Sequence, residues 1–482
     1  MLAVVHVLGQ LLTIFGLTFL LPIVTSLLFR DGTWWAFVVA ALMCSGAGLL
    51  IWAATRRYKR ELKSRDGFLL VTLAWVLMSA VATIPMLIAM PDLSFTDAFF
   101  ETTSGVTTTG ATVLTHLNQL PPAINLWRHA LHWYGGMGII VLALAILPLL
   151  GVGGMQLYKA EIPGPVKDTK LTPRITETAK ALWFTYAGIT LACIVSLRLC
   201  GISWFDAICH GFSAMALGGF STYDDSVGHF RSPAVELVLM FFMVLAAMSF
   251  ARHFLAVRRL ALDPYRSDPE VAGLLRMLIG SVLLVSLVLL IDGRYATSWE
   301  TFRHAAFAVI SIATTTGFVS EDYEKWPTFV APWLLFLSSI CCNTGSTGGG
   351  IKMFRTLLLG QQAMRELRLM VHPQAVEPVR IGGQVVANRV AYAVLAFIFL
   401  YFQTIVVLTF SLLMSGLDFV TAFSAIIACI NNMGPGLNKV GPASNFQSLT
   451  DFQTWVCAIA MLLGRLEIFS VLVLFTPAFW RK

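Results

Sequence analysis

The sequence predicts an all-α polytopic membrane protein. Four repeated units of helix, re-entrant half-helix and helix surround a central pore, and two extra transmembrane helices precede them. Three observations lead there. Mean hydropathy is +0.77, 57% of residues are hydrophobic and 12% are charged, whereas soluble domains carry about 25% charged residues. The apolar runs are continuous rather than alternating, which selects helices over a transmembrane barrel. Four times, an apolar stretch too short to cross a bilayer runs into a glycine: Gly110, Gly219, Gly317 and Gly434. Set on these glycines, the position 12 residues earlier is Ala98, Ala207, Ala305 and Ala422, and the position 15 earlier is Phe95, Trp204, Phe302 and Phe419. Repetition of this kind decides architecture before any single residue does.

Charge gives the topology. Most of the 33 Lys and Arg fall in loops 54–66, 154–180, 252–276 and 352–389, with Arg481 and Lys482 at the end. The alternate loops 91–97, 220–230 and 438–450 carry almost none. By the positive-inside bias the basic loops and both termini are cytoplasmic. The net charge of +7 is therefore topogenic, and nucleic-acid binding is excluded.

In chain order, apolar segments 3–29 and 34–55 form an N-terminal domain (1–66). The first lacks a basic leader region and a small-residue cleavage site, so it reads as a retained helix. The basic run Arg56–Arg65 returns the chain to the cytoplasm. Repeats then occupy 67–179, 180–272, 273–385 and 386–482. Their outer helices are expected at 67–91, 180–201, 273–293 and 386–416. Re-entrant helices follow at 95–107, 204–216, 300–314 and 419–431. Inner helices follow at 124–150, 232–257, 329–358 and 449–477. That makes ten spans and four half-spans, since a segment of about 13 residues is well short of the ~20 that cross a bilayer.

Non-helical backbone at membrane depth survives only where protein buries it or water lines it. Four such turns can converge so that carbonyls replace an ion's hydration shell. Glycine suits that task by its backbone freedom and lack of bulk; the alternative is that these glycines only let helices pack closely. The expected filter residues are Thr108, Thr109 and Gly110; Leu217, Gly218 and Gly219; Thr315, Thr316 and Gly317; and Asn432, Met433 and Gly434. Hydroxyls and amides are unevenly spread, and repeat 2 offers only Ala216, Leu217 and Gly218, so the main chain is the coordinating group.

A second polar segment, Gly345, Ser346, Thr347, Gly348, Gly349 and Gly350, interrupts the third inner helix. It fails as a phosphate loop because Ile351 separates Gly350 from Lys352 and no Ser or Thr follows. It faces the conduction path, or is a passive kink. Arg465 is a charge midway along the fourth inner helix, and intramembrane charge is expensive. It faces a cavity with partners, or pairs with a buried carboxylate. Glu467 is not the simplest partner, because residues two apart on a helix do not face each other. His129 and His132 are expected at the outer interface beside Trp127 and Trp133. The eight cysteines form no metal-spaced cluster and read as small buried hydrophobes. No catalytic constellation appears, so no enzyme activity is expected.

At these residues the chain resembles the Trk/Ktr/HKT superfamily of potassium-translocating subunits, closest to its bacterial TrkH/TrkG branch. The resemblance rests on Thr-Thr-Thr-Gly-Ala-Thr (107–112), Gly-Gly-Phe-Ser (218–221), Thr-Thr-Gly-Phe (315–318) and Asn-Asn-Met-Gly-Pro-Gly (431–436). It also rests on Gly-Ser-Thr-Gly-Gly-Gly-Ile-Lys (345–352), Gly-Arg-Leu-Glu (464–467) and the cytoplasmic stretch Gly153–Gly164. It implies potassium uptake across the bacterial inner membrane, with K⁺ at the filter residues and no organic cofactor. It further implies an intramembrane gating loop at 345–350 with Arg465 at the constriction, a homodimer embedded in lipid, and a cytoplasmic TrkA-like nucleotide-binding partner. Two rival readings stand beside it: a symporter coupling K⁺ to H⁺ or Na⁺, and a sodium-permeable pore of the same superfamily. The second has serine at a filter glycine, whereas all four positions here are glycine.

Overall fold

The computed structural model describes residues 1–58, 62–146 and 175–481. Part of the basic run (59–61), the end of the first inner helix (147–150) and most of loop 154–180, including the Gly153–Gly164 stretch, lie outside the described residues. The fold is helical, as the composition predicts, and one two-residue antiparallel pairing, Arg380–Ile381 with Gln384–Val385, is the only sheet among them.

Among the described residues, six helices are long and apolar enough to span: Leu2–Phe29, Trp34–Thr55, Arg65–Ala89, Ala179–Leu199, Pro269–Asp292 and Asn388–Met414. The first two pair through small residues. A Cβ on Gly9 would sit 2.9 Å from the Gly48 carbonyl, and one on Gly48 would sit 2.6 Å from Thr13 N. Backbones approach this closely only where side chains vanish. The other four spans are the outer helices of the repeats.

The half-helices are Phe95–Val106, Trp204–Ala216, Ser298–Ala313 and Phe419–Ile430. Each begins at a capping side chain, Ser94, Ser203, Thr297 or Asp418, which accepts a hydrogen bond from the N–H three residues on and so satisfies one of the orphan donors of a first turn. The two repeated columns now have physical reasons. All four alanines are fully buried, whereas Phe95, Trp204, Phe302 and Phe419 are 44–62% exposed. Alanine marks where a half-helix is pressed against its neighbours, and the aromatic marks where it meets the outer surface, as interfacial aromatics do.

The inner helices depart from expectation. The first runs from Pro122 to Ile146, the limit of the described residues. The second is bent by 97° between Pro233–Ala246 and Phe250–Arg259, and the fourth by 105° between Asp451–Arg465 and Phe469–Phe475. The third stops at Ile340 and resumes at Met353. So the continuous spans expected at 232–257 and 449–477 are broken. The reason lies in backbone bonding: Ala247 O accepts from Asn343 N at 3.0 Å, and Phe250 N donates to Gly345 O at 3.1 Å. The segment from repeat 3 takes over bonds that a straight second inner helix would make to itself. At the fourth bend, Glu467 and Ile468 adopt φ of 54° and 31°, incompatible with continued helix.

Candidate ion-binding site

Each half-helix ends in the same way. Thr108, Leu217, Thr315 and Asn432 take left-handed φ of 52–58°, and the next N–H (Thr109, Gly218, Thr316, Met433) closes back on Ser104, Ser213, Ser311 or Ala428 O at 2.8–2.9 Å. This is a Schellman-like C-cap with a non-glycine residue at its left-handed position. One residue later comes the glycine, again with positive φ, 83°, 76°, 81° and 98° in chain order.

The four glycines lie in a closed order. A Cβ on Gly110 would be 1.9 Å from Gly218 O, on Gly219 2.1 Å from Thr316 O, on Gly317 1.9 Å from Met433 O, and on Gly434 2.9 Å from Thr109 O. Each glycine therefore abuts the carbonyl of the residue preceding the glycine of the next repeat, and the fourth returns to the first. The filter residues expected from sequence are thus brought together as one ring of backbone. Above it lies a cavity of about 80 Å³, room for a few waters, bordered by all four glycines and by Arg128 and Asp224. Helix C-termini carry roughly half a negative charge each. Four of them at one ring favour a cation there and disfavour an anion.

Side-chain ties differ by repeat. Thr107 and Thr109 hydroxyls are 2.8 Å apart, and Thr314 and Thr316 hydroxyls 2.7 Å. Asn432 Nδ2 donates to Thr109 Oγ1 at 3.0 Å, and Asn431 is held by Tyr401, Ser338 and Ser339. Repeat 2 has apolar residues at the matching positions.

The segment 343–351 lies beneath. Its neck is closed by Ile351 N to Ser339 O and Met353 N to Cys342 O, both 2.7 Å. Thr347 Oγ1 donates to Met215 O at 3.0 Å, and Gly349 N donates to the Thr315 hydroxyl at 3.0 Å. A Cβ on Gly349 would be 1.9 Å from Asn431 O, so the loop touches the undersides of repeats 2, 3 and 4. Arg465, 2% exposed, donates to Thr347 O at 2.7 Å and to Gly135 O of the first inner helix at 3.1 Å. Lys352 Nζ donates to Gly348 O. Glu467 pairs with Arg355 at 2.7 Å instead of with Arg465. Glu270 accepts from Thr344 N at 2.7 Å, anchoring the loop to the third outer helix.

His129 and His132 are not at the interface. Both are fully buried, with Nδ1 2.8 and 3.1 Å from Ser213 Oγ of the second half-helix. Trp127 is buried too, 4.7 Å from the Phe19 ring, because the N-terminal helices cover the face that would otherwise meet lipid. Sequence reading also missed Glu101 and Arg128, an ion pair at 2.7 Å with both partners buried. A signal was present: Glu101 is a charge inside a half-helix, as anomalous there as Arg465 is in its own helix. All eight cysteines are free, seven of them buried, and among the described residues no cluster of His, Cys, Asp or Glu is arranged to hold a metal.

Fold and site define a helical membrane protein whose four half-helices direct their C-terminal ends at one backbone ring, over a loop and an arginine. A family profile for TrkH, described as a cation transport protein, matches residues 35–482. The Trk system potassium uptake protein TrkH of Vibrio parahaemolyticus is 47% identical over 483 residues, covering 100% of this chain and 99% of that one. The Escherichia coli proteins TrkH and TrkG are 43% and 40% identical, over 100% and 99% of this chain and 99% and 98% of their own lengths. The crystal structure of the potassium transporter TrkH from Vibrio parahaemolyticus superposes with a TM-score of 0.92 at 43% identity, covering 100% of this chain and 99% of that one. The chain belongs to the TrkH family of cation transport proteins.

Proposed function

We propose that the chain takes up potassium across the bacterial inner membrane through a gated, K⁺-selective pore. Ions are held by carbonyls of Thr108–Gly110, Leu217–Gly219, Thr315–Gly317 and Asn432–Gly434. What carries the reading is the closed order of glycine-to-carbonyl contacts. A cation that sheds water needs several oxygens at once, and fixed carbonyl dipoles supply them. A side chain at any of the four glycines would intrude on the next repeat's carbonyl. The relatives' names as potassium uptake proteins supply the ion.

The loop 345–350 and Arg465 form the gate below the filter. A glycine-rich segment bends at small cost, and charge-assisted bonds from Arg465 to Thr347 and Gly135 fasten it. The chain works as a homodimer with both termini cytoplasmic. Control comes from a TrkA-like nucleotide-binding subunit acting on the cytoplasmic loops; the relatives' designation as a Trk system supports a multi-component assembly. ATP or NADH then changes flux only when that subunit is added.

The test is the reversal potential of the purified chain in liposomes under opposed K⁺, Na⁺ and H⁺ gradients. Reversal following K⁺ alone is expected. Reversal displaced by H⁺ or Na⁺ at a fixed ratio would make it a symporter and overturn the pore reading.

A further inference from the structure

Repeat 2 stands apart at the ring because its own side chains supply no tie. Ala216, Leu217 and Gly218 carry no hydroxyl or amide where the other repeats have Thr107–Thr109, Thr314–Thr316 and Asn431–Asn432. Its support comes from the first inner helix. Arg128 Nε donates to Glu101 at 2.7 Å, one terminal nitrogen donates to Asn125 Oδ1 at 3.2 Å and to the Ser221 carbonyl at 3.4 Å, and the other donates to the Thr112 hydroxyl at 3.3 Å. The guanidinium carbon lies 4.2 Å from the centre of the Phe220 ring. Phe220 and Ser221 are the first two residues after Gly219.

The other half of the pair holds repeat 1. Glu101 accepts from Val113 N at 3.1 Å and from the Thr112 hydroxyl at 3.0 Å, so one ion pair grips the strands that leave Gly110 and Gly219. Behind it the His132 ring stacks on Phe220 at 4.1 Å. A Cβ on Gly218 would be 2.4 Å from His132 Nδ1, so the imidazole occupies the space a Gly218 side chain would take. His210 Nε2 lies 3.0 Å from Ser221 Oγ.

A buried ion pair adds little net stability, because desolvation offsets attraction. Its value here is directional. A planar fork reaches carboxylate, hydroxyl, carbonyl and ring together, which an ammonium does not. We propose that Arg128, anchored by Glu101, is the positioning residue that fixes the ring segment of repeat 2 and thereby sets discrimination between K⁺ and Na⁺. The proposal rests on the reading of the ring as the selectivity filter.

The experiment measures the K⁺-to-Na⁺ permeability ratio of full-length protein in liposomes for Arg128→Lys, Glu101→Gln, both together, and Thr112→Val. Gly219→Ser reports on the filter reading, and Glu236→Gln breaks a second, partly buried pair with Arg303 of the third half-helix, whose hydrogen bonds among the described residues go to Glu236 and His304 and not to the ring. Arg128→Lys and Glu101→Gln are expected to lower the ratio by roughly fivefold each, the scale on which sub-ångström misplacement acts. The double variant should do no worse than either alone, while Glu236→Gln keeps the wild-type ratio. Thr112→Val, which keeps both charges, should lower it about twofold and decides the matter if the charge variants do not fold. A wild-type ratio in Arg128→Lys or, failing its folding, in Thr112→Val overturns the proposal, as does an equal loss in Glu236→Gln. If Gly219→Ser also keeps the ratio, the filter reading itself has failed; if it alone loses the ratio, only the positioning role has.

Discussion

The ring at Gly110, Gly219, Gly317 and Gly434 and the loop at Gly345–Gly350 are both rich in glycine, yet they are held in different ways. The ring is backed by four helix ends with one repeated pattern of main-chain bonds, and its segments touch backbone to backbone. The loop has main-chain bonds at its two ends, to Ala247 and Phe250 and to Ser339, and between them it is fastened by side chains: Arg465, Glu270, Lys352 and the Thr315 hydroxyl. Main-chain bonding of the first kind is released only by unfolding the half-helices. Side-chain bonding of the second kind can be exchanged one contact at a time, which suits a part that moves. Glycine serves fit in one place and compliance in the other.

The largest effect should come from the ring. Serine at Gly110, Gly219 or Gly317 should lower the K⁺-to-Na⁺ permeability ratio by roughly tenfold, equivalent to about 1.4 kcal/mol. Gly434→Ser should lower it least, because its Cβ would clear the facing carbonyl by 2.9 Å rather than 1.9–2.1 Å. Equal loss at all four would mean that strain at positive φ, and not the carbonyl contact, sets the effect.

Next comes the loop. Arg465→Ala, or deletion of Gly345–Gly350, should raise basal K⁺ flux by about an order of magnitude, the scale of losing charge-assisted hydrogen bonds, with the permeability ratio little changed. Flux at the wild-type level in folded protein removes that element from the gate. A matching collapse of selectivity would make it a prop of the filter, erasing the distinction between the two regions. Glu270→Ala, which frees Thr344, should give a smaller rise, roughly threefold. No rise would assign the anchoring to Arg465 and Lys352 alone.

The smallest effect belongs to a helix start behind the ring. Asp418→Ala removes the cap of the fourth half-helix and should cost about 1 kcal/mol, lowering the thermal midpoint without altering selectivity. The Asp418 carboxyl, largely exposed, is held below its ordinary range by hydrogen bonds from the Thr421 N–H and hydroxyl and from Asn438. A depressed carboxylate contributes fully above its unfolded value, about 3.9, and loses that contribution as pH falls through its folded value. The difference in midpoint between wild type and Asp418→Ala should therefore be the same at about pH 7 and about pH 5 and disappear only in stronger acid.

Much of the ring was legible in the sequence because positive φ and close carbonyl approach both demand glycine at the same four places. The other left-handed position in each repeat was not, since Thr108, Leu217 and Thr315 bear no such mark and are held there by the helix ends, and only Asn432 is of a type that visits this region readily. The outer helices read cleanly as uniform apolar runs. The bends did not: residues 247–249 and 466–468 contain neither proline nor glycine, and what breaks those helices is the loop of repeat 3 in one case and local left-handed backbone in the other. His129 and His132 were misplaced because amphipathic aromatics look alike at an interface and under a covering pair of helices.

The ring is written once along a single chain, and its four facing carbonyls belong to Thr109, Gly218, Thr316 and Met433. In a pore assembled from four identical subunits every substitution arrives in quadruplicate. Here it arrives in one quadrant, leaving three untouched. A change in one repeat accordingly alters one quarter of the ring and leaves the other three quarters as they were. The second quadrant, with Ala216, Leu217 and Gly218 where the others carry hydroxyls or amides, differs from its three neighbours in this way.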